Sequence, residues 1–236
     1  MGMYHIGYDI VYNNVKGSSL NILPVRRPDI PAPEYEHEEI VIPGRDGIMT
    51  GSKRLLPIEL SVEFNFLSTS PNLWMSDFRA AKNWLKGSGR LEFSDDEDFF
   101  FKVYFVRIED SVRDSRRKGS FTAVFVCDPY MYLKKGDREY SLAQVQNNPY
   151  ELAHPTYILR GYSESTILTV NGTAVELSVD GMMVLDTDLM QAYDQDGSLA
   201  NTSVIGDYAD LYLQPGKNEL LVSSGGMTVI PNWRTL

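Results

Sequence analysis

The feature that most constrains the fold of this 236-residue chain is an Asn-Gly dipeptide between two short segments rich in apolar and β-branched residues. Residues 166–170 precede Asn171 and Gly172, and residues 173–177 follow them. Both central residues of a type I′ turn need a positive φ, which asparagine and glycine adopt readily, and the twist of this turn matches antiparallel strands. The sequence therefore predicts a tight β-hairpin here.

Further short apolar runs in the C-terminal third predict more strands. They lie at residues 182–185, 210–213, 219–222 and 227–230, and turn-forming residues such as 214–218 separate them. Many short strands joined by turns are typical of two packed antiparallel sheets. We therefore expect an antiparallel β-sandwich in this part of the chain.

The N-terminal part also reads mostly as strands. Residues 99–108 and 120–127 are rich in aromatic and β-branched side chains, and a charged turn at 113–119 lies between them. This pattern predicts a long β-hairpin. Residues 60–66 alternate apolar and polar side chains, as a half-buried strand does, and we expect them to join the same sheet.

One helix is predicted against this background of strands. Ser70 can cap it, Pro71 suits its first position, and Gly87 stops it. Four side chains recur at spacings of four, three and four residues and form a stripe that should pack against a sheet. These are Trp74, Phe78, Ala81 and Leu85.

The charge distribution suggests two domains. Residues 1–150 hold 19 Lys and Arg against 21 Asp and Glu, whereas residues 151–236 hold 3 against 11. Polar residues with glycine and proline at 134–138 and 146–149 are interpreted as a connector and loops. We therefore expect a strand-rich N-terminal domain with one helix at 1–133 and a β-sandwich domain at 134–236.

The net charge of −10 argues against tight binding to nucleic acid, because phosphates would be repelled.

No arrangement of residues predicts catalysis. His5, His37 and His154 are far apart in the sequence, and neither a nucleophile elbow nor a phosphate-binding glycine loop is present. Cys127, the single cysteine, lies in an apolar strand, where a buried and inert thiol is the usual finding. We expect a protein that is not an enzyme and uses no cofactor.

Two carboxylate clusters were considered as metal ligands. Residues 95–98 and the pair Asp194 and Asp196 offer hard oxygen atoms, but neither continues into the alternating ligands and distal glutamate of an EF-hand. Both are interpreted as solvated turns, so no metal is expected. A calcium ion at Asp194 and Asp196 remains an open alternative.

The sequence contains no pattern of a targeting or membrane-spanning segment. The first nine residues lack a basic region followed by an apolar one, and no stretch approaches the about 20 apolar residues of a spanning helix. We expect no membrane insertion by this chain.

An ordered series of motifs resembles a known family. Residues 43–47 read Pro-Gly-Arg-Asp-Gly, a tight surface turn in which two glycines flank a charged pair. With residues 84–85, 89–96 and 125–130, this turn is similar to the N-terminal belt domain of the distal tail proteins of siphophages. Four later motifs resemble the galectin-like domain of that family, and they lie at residues 154–161, 170–172, 213–218 and 231–236.

The resemblance implies a belt domain of β-sandwich type with one helix, a galectin-like β-sandwich, and a structural role. Members of the family form a hexameric ring that joins the tail tube and tape-measure proteins to the tail-tip hub and the receptor-binding or baseplate proteins. DNA passes through the lumen, and the expected location is the virion after assembly in the host cytoplasm. Our candidates for the contacts between subunits are Gly44, Arg45, Asp46 and Gly47, with Arg45 and Asp46 pairing across a head-to-tail interface. Some relatives carry an inserted carbohydrate-binding module, for which residues 156–236 are too few.

Two alternatives belong to other classes of protein. A carbohydrate-binding protein would stack sugars on Tyr157, Tyr162 or Trp233. A glycoside hydrolase would need two carboxylates that face each other across a cleft, which spacing in the sequence does not reveal.

Overall fold

The computed structural model describes residues 9–40, 43–44, 46, 49–162 and 165–236. The chain divides into two compact units, the first ending at Met131 and the second spanning Tyr132–Thr235. Each unit has its own core of buried apolar side chains. Strands dominate both units, so the mainly β fold class predicted from the sequence is confirmed.

A sheet of eight strands forms the centre of the first unit. Seven of them follow the order β2-β1-β7-β8-β9-β6-β3, and the eighth, β21 (Arg234–Thr235), pairs with β9. Two further strands, β4 and β5, form a separate antiparallel ribbon. The strands are β1 (Ile10–Tyr12), β2 (Val15–Lys16), β3 (Ile22–Pro24), β4 (Tyr35–Ile40), β5 (Met49–Leu55), β6 (Ile58–Leu67), β7 (Gly89–Phe93), β8 (Phe99–Ile108) and β9 (Lys118–Leu133).

Strand β6 has the alternation that the sequence predicted. Its side chains are buried and exposed in turn from Ile58 to Leu67, and it pairs with β9 in antiparallel register from Ile58 opposite Cys127 to Leu67 opposite Lys118. Strands β8 and β9 are neighbours in the sheet, so the predicted hairpin is confirmed. Strand β9 is longer than expected, because it continues past Cys127 to Leu133.

The helix α1 (Trp74–Trp84) covers the end of this sheet with aromatic side chains. The Phe66 ring lies 5.2 Å from Trp74 and 6.1 Å from Phe78, measured between ring centroids. Aromatic pairs at such distances contribute about 0.5–1.5 kcal/mol beyond the area they bury. The predicted stripe is therefore the packing surface of the helix.

The start of the helix differs from the prediction in one respect. Ser70 occupies the predicted N-cap position and has the extended backbone of that position, with Pro71 directly after it, but its side chain makes no capping hydrogen bond. The helical segment begins with a short 3₁₀ turn, Pro71–Leu73, which leads directly into α1. The chain leaves the helix at Leu85, and Gly87 adopts a φ of +87°, as expected of a glycine that ends a helix.

Two sheets form the sandwich of the second unit. Their strand orders are β10-β20-β12-β15-β16 and β17-β14-β13-β19, and a small pair β11-β18 lies beside them. The strands are β10 (Tyr140–Ser141), β11 (Asn147–Asn148), β12 (Thr156–Tyr162), β13 (Ser165–Val170), β14 (Thr173–Ser178), β15 (Gly181–Asp186), β16 (Gln191–Asp194), β17 (Val204–Ile205), β18 (Gly216–Lys217), β19 (Leu220–Val222), β20 (Gly226–Ile230) and β21 (Arg234–Thr235).

The hairpin at Asn171 and Gly172 is present as predicted. Their φ angles are +51° and +88°, which is the positive pair that a type I′ turn needs. Val170 and Thr173 are paired directly across the turn. The turn therefore sets the register of β13 and β14.

Residues 210–213 do not form the predicted strand. Tyr208–Leu211 is a 3₁₀ helix, and the Asp207 side chain accepts a hydrogen bond of 2.9 Å from the Ala209 N–H at its start. An aspartate in this position satisfies a backbone donor that a strand would give to a neighbour. Leu213 makes a single bridge with Ala153.

The stretch interpreted as a connector is ordered structure of the second unit. Lys134–Asp137 forms a 3₁₀ helix in which Gly136 is buried. A Cβ atom on Gly136 would lie 2.7 Å from the Trp233 nitrogen, and the Asn232 N–H donates to the Gly136 carbonyl at 2.9 Å. Glycine is needed here because the two backbones approach closely.

Candidate assembly surfaces

The predicted interface residues lie between the two strands of the ribbon, defined here as β4 and β5. Gly44 has a φ of +82° and open space around it, and Asp46 is exposed. Arg45 and Gly47 lie outside the described residues. The structure thus places the described part of the motif in an exposed turn, and it does not test the expected charge pairing.

The ribbon pairs with no other strand in the part of the chain that the structure describes. Its register runs from Tyr35 opposite Leu55 to Ile40 opposite Met49. Glu36 forms an ion pair with Arg54 across the strands, and Tyr35 stacks on His37 with ring centroids 6.2 Å apart. All of these contacts are local to the ribbon.

Both faces of the ribbon meet solvent. From Tyr35 to Glu38 every side chain is exposed, and Tyr35 retains 53% of its accessible surface. An isolated two-stranded ribbon is marginally stable in water, because it buries little apolar surface. The ribbon is therefore held by few contacts beyond the pairing of its own two strands within the described residues. Sequence reasoning identified its turn and missed its strands, because the run Glu36-His37-Glu38-Glu39 lacks the alternation of a half-buried strand.

A second exposed surface lies where β8 connects to β9. We call residues 113–118 the basic corner, since they contain three arginines and one lysine against the single carboxylate of Asp114. Arg113 donates to the carbonyls of Pro71 and Arg116 at 3.2 and 2.8 Å, and its guanidinium lies 5.3 Å from the Trp74 ring centroid. Arg117 donates to the Ser68 carbonyl at 2.7 Å. These contacts fix the shape of the loop.

Exposed apolar side chains lie on the segments that contact the basic corner. They are Leu67, Leu73, Met75 and Val112, with exposed fractions of 39, 45, 54 and 57%. Leu67 is paired with Lys118, and Val112 exchanges backbone hydrogen bonds with Ser120 at 2.8 and 2.9 Å. We call these four residues the apolar rim. Arginine and methionine, which occur in the basic corner and the apolar rim, are enriched at interfaces between proteins.

Cys127 has the properties of a structural thiol. It is fully buried in β9, and burial raises its pKa to about 12. Because the thiolate is the nucleophilic form, a thiol with this pKa is not reactive near neutral pH. The geometry does not support Cys127 as a nucleophile.

Both ring nitrogens of His154 have a polar partner. Its Nδ1 lies 2.7 Å from Asp188 Oδ1, and its Nε2 lies 2.9 Å from Arg234 Nη2. The ring also stacks on Tyr212 at 4.0 Å between centroids. A general base needs a free ring nitrogen, which this arrangement does not offer. His37 lies on the exposed ribbon, and His5 lies outside the described residues.

The carboxylates considered as metal ligands make contacts typical of turns. Asp194 Oδ1 accepts hydrogen bonds of 2.9 Å from the N–H groups of both Asp196 and Ser198, and Asp95 pairs with Arg27 at 2.8 Å. Among the described residues no three His, Cys, Asp or Glu side chains are grouped closely enough to hold a metal ion.

Two of the three aromatic residues considered for sugar stacking are not open platforms. Tyr157 is completely buried and its hydroxyl donates to the Leu211 carbonyl at 2.9 Å. Trp233 is partly buried and its ring lies 5.9 Å from Tyr140. The side chain of Tyr162 is outside the described part. Stacking of a sugar on Tyr157 is therefore wrong, because no face of its ring is accessible.

No helix in the described parts of the chain combines the length and the apolar character needed to cross a membrane.

Among comparisons with known proteins, only the one with solved structures gives matches, and these concern the fold. No family model and no curated protein matches the sequence. Among solved structures, the chain is similar to the SPP1 Dit (gp 19.1) protein, described as a paradigm of the hub adsorption apparatus in Gram-positive infecting phages. The TM-score is 0.68 at 15% identity, over 94% of this chain and 96% of that chain.

Two structures of the phage P2 baseplate also match. The baseplate in its activated conformation with Ca gives a TM-score of 0.54 at 12% identity, with 97% of each chain covered. The one with Sr gives 0.52 at 13% identity, over 94% of this chain and 96% of that chain. The chain therefore has the fold of the SPP1 Dit hub protein, and at the level of the fold the resemblance predicted from its sequence motifs is confirmed.

Proposed function

We propose that this chain is a structural hub of a bacteriophage tail tip that forms a homo-hexameric ring at the distal end of the tail tube. The observation that carries the proposal is the likeness to the SPP1 Dit protein, which extends over 94% of this chain and 96% of that one. Nearly all of the given chain therefore takes part in the shared fold. The number six comes from the family resemblance.

In this proposal residues 1–133 form the ring and residues 134–236 project outward as docking domains. The ribbon supports the first assignment, because its strands are exposed on both faces and would bury surface against a neighbouring subunit. Gly44 and Asp46 lie in the turn between its strands. Gly44, Arg45, Asp46 and Gly47 are proposed as contacts between subunits. A closed ring requires a head-to-tail interface between two different surfaces of the subunit.

The partners are the tail tube and tape-measure proteins on one side and the tail-tip hub and receptor-binding or baseplate proteins on the other. The protein is located in the virion, is assembled in the host cytoplasm, and is not an enzyme. DNA crosses the lumen without tight binding, and the net charge of −10 supports this because phosphates are repelled.

The test is electron microscopy of the purified protein and of phage tails that contain it. We expect rings with a central hole in negative stain and six copies at the end of the tube in a tail-tip reconstruction. A chain that is absent from the end of the tube, or that lines the lumen with its C-terminal units, contradicts the proposal. Because dilution dissociates weak rings, the purified protein is imaged after crosslinking at several concentrations.

A further inference from the structure

The basic corner and the ribbon lie at opposite ends of one strand. The ribbon is closed by a hydrogen bond of 2.8 Å from the Leu56 N–H to the Glu34 carbonyl, and β6 begins two residues later at Ile58. The other end of β6, at Leu67, is paired with Lys118 of the basic corner. Ten residues of strand at about 3.3 Å each separate the two surfaces by about 30 Å.

The two surfaces also differ in charge. The ribbon and the residue before it contain Glu34, Glu36, Glu38 and Glu39 against Lys53 and Arg54, and Arg54 pairs with Glu36 within the ribbon. The basic corner carries four cations and one carboxylate. Neither the Glu38 side chain nor the Arg116 side chain forms an ion pair with another described residue. Both are exposed, so their charges are available to another molecule.

We propose that the ribbon of one copy of this chain binds the basic corner and the apolar rim of the next copy, and that Glu38 faces Arg116 across this contact. The inference rests on the proposed ring and assigns the two surfaces of its interface. Opposite ends of one strand suit a head-to-tail contact, because each subunit then presents one end to each neighbour. The apolar rim covers the ribbon while the cations meet its glutamates.

Hydrogen bonds hold the basic corner in one conformation, which suits it to bind a partner. Arg113 and Arg117 are held by backbone carbonyls, and Arg113 also lies over Trp74. The loop is thus ordered before any partner arrives, which lowers the entropy cost of association. Arg116 is left to contact the incoming strand.

The test uses charge reversal in two separate variants of the full chain. In Arg116→Glu the new carboxylate meets Glu38 of the next copy, and in Glu38→Lys the new lysine meets Arg116. Like charges that are brought together in an interface oppose association. We expect each variant alone to weaken subunit association at least tenfold in sedimentation velocity and mass photometry.

In the decisive experiment the two variants are mixed in equal amounts. Every contact in an alternating ring then joins opposite charges, with Lys at 38 facing Glu at 116 in one interface and Glu38 facing Arg116 in the next. We expect the mixture to recover the wild-type association. The matched controls Lys86→Glu and Glu97→Lys change the same charges at exposed positions of the first unit and are expected to associate normally.

Crosslinking provides an independent readout. A carbodiimide joins carboxylates to lysines in contact, so a mixture of ¹⁴N and ¹⁵N protein should give an isotopically mixed crosslink between the ribbon glutamates and Lys118. Rings that persist in both single variants, without that crosslink, overturn this contact and leave the ring itself intact. A wild-type chain that stays monomeric at every concentration and is absent from tails overturns the ring as well.

Discussion

The Nη2 atom of Arg234 lies 2.9 Å from the Nε2 atom of His154, and this contact fixes the tautomer of the imidazole. A guanidinium only donates hydrogen bonds, so Nε2 accepts and the ring proton is on Nδ1, which donates to Asp188 at 2.7 Å. Arg234 also donates from Nε to the Leu152 carbonyl at 2.7 Å. One buried arginine thus joins β21 to the loop before β12.

Replacing this arginine should destabilise the second unit. Arg234 is 6% exposed, and Arg234→Met leaves the Leu152 carbonyl and His154 without their donor. A loss of this kind costs about 1–3 kcal/mol. We expect that decrease in urea unfolding followed by circular dichroism, together with faster hydrogen exchange at residues 152–160. The exposed control Arg138→Met should change stability by less than about 0.5 kcal/mol, and an equal loss in both variants would contradict the argument.

The buried thiol gives a chemical prediction. Because burial raises the pKa of Cys127 to about 12, almost no thiolate exists at pH 8 in the folded protein. Iodoacetamide should therefore leave Cys127 unmodified in the native state and alkylate it completely in 8 M urea, as measured by intact mass. Rapid alkylation of the native chain would show that β9 opens or that the thiol is activated.

The close packing at Gly119 predicts a sensitive position. A Cβ atom there would lie 2.5 Å from the Phe66 ring and 2.8 Å from Trp74. Overpacking of this kind costs about 1–3 kcal/mol, so Gly119→Ala should lower the free energy of unfolding by that amount. Gly226→Ala is the control, because nothing lies within 4 Å of the added atom. If both variants unfold at the same urea concentration, the aromatic cluster is looser than its geometry indicates.

The sequence predicted the features that local chemistry determines. Asn171 and Gly172 specify their turn through φ, and β6 shows its buried face through alternation. No strand forms at 210–213, because Asp207 caps a 3₁₀ helix there and this capping interaction competes with strand formation. The charged turn at 113–119 was predicted, whereas the strands of the ribbon were missed because their side chains are exposed and carry no periodic signal.

The ion pair between Glu139 and Arg160 predicts a pH dependence of stability. Hydrogen bonds from Arg160 and then from Thr228 lower the pKa of Glu139 in the folded protein. A group whose pKa is lower in the folded than in the unfolded state stabilises the fold above its unfolded value, about 4.3 for glutamate. That contribution is lost as the pH falls below this value and through the folded pKa.

Glu139→Gln should therefore be less stable than the wild type at pH 7, and the difference should shrink as the pH falls from about 4.5 toward 3. Urea unfolding at closely spaced pH values measures the difference directly. The control is Glu176→Gln, which removes the same charge from an exposed glutamate of the same unit that has no ion pair to a described residue. A difference for Glu139→Gln that stays constant down to pH 3 would mean that the pair with Arg160 is not maintained in solution.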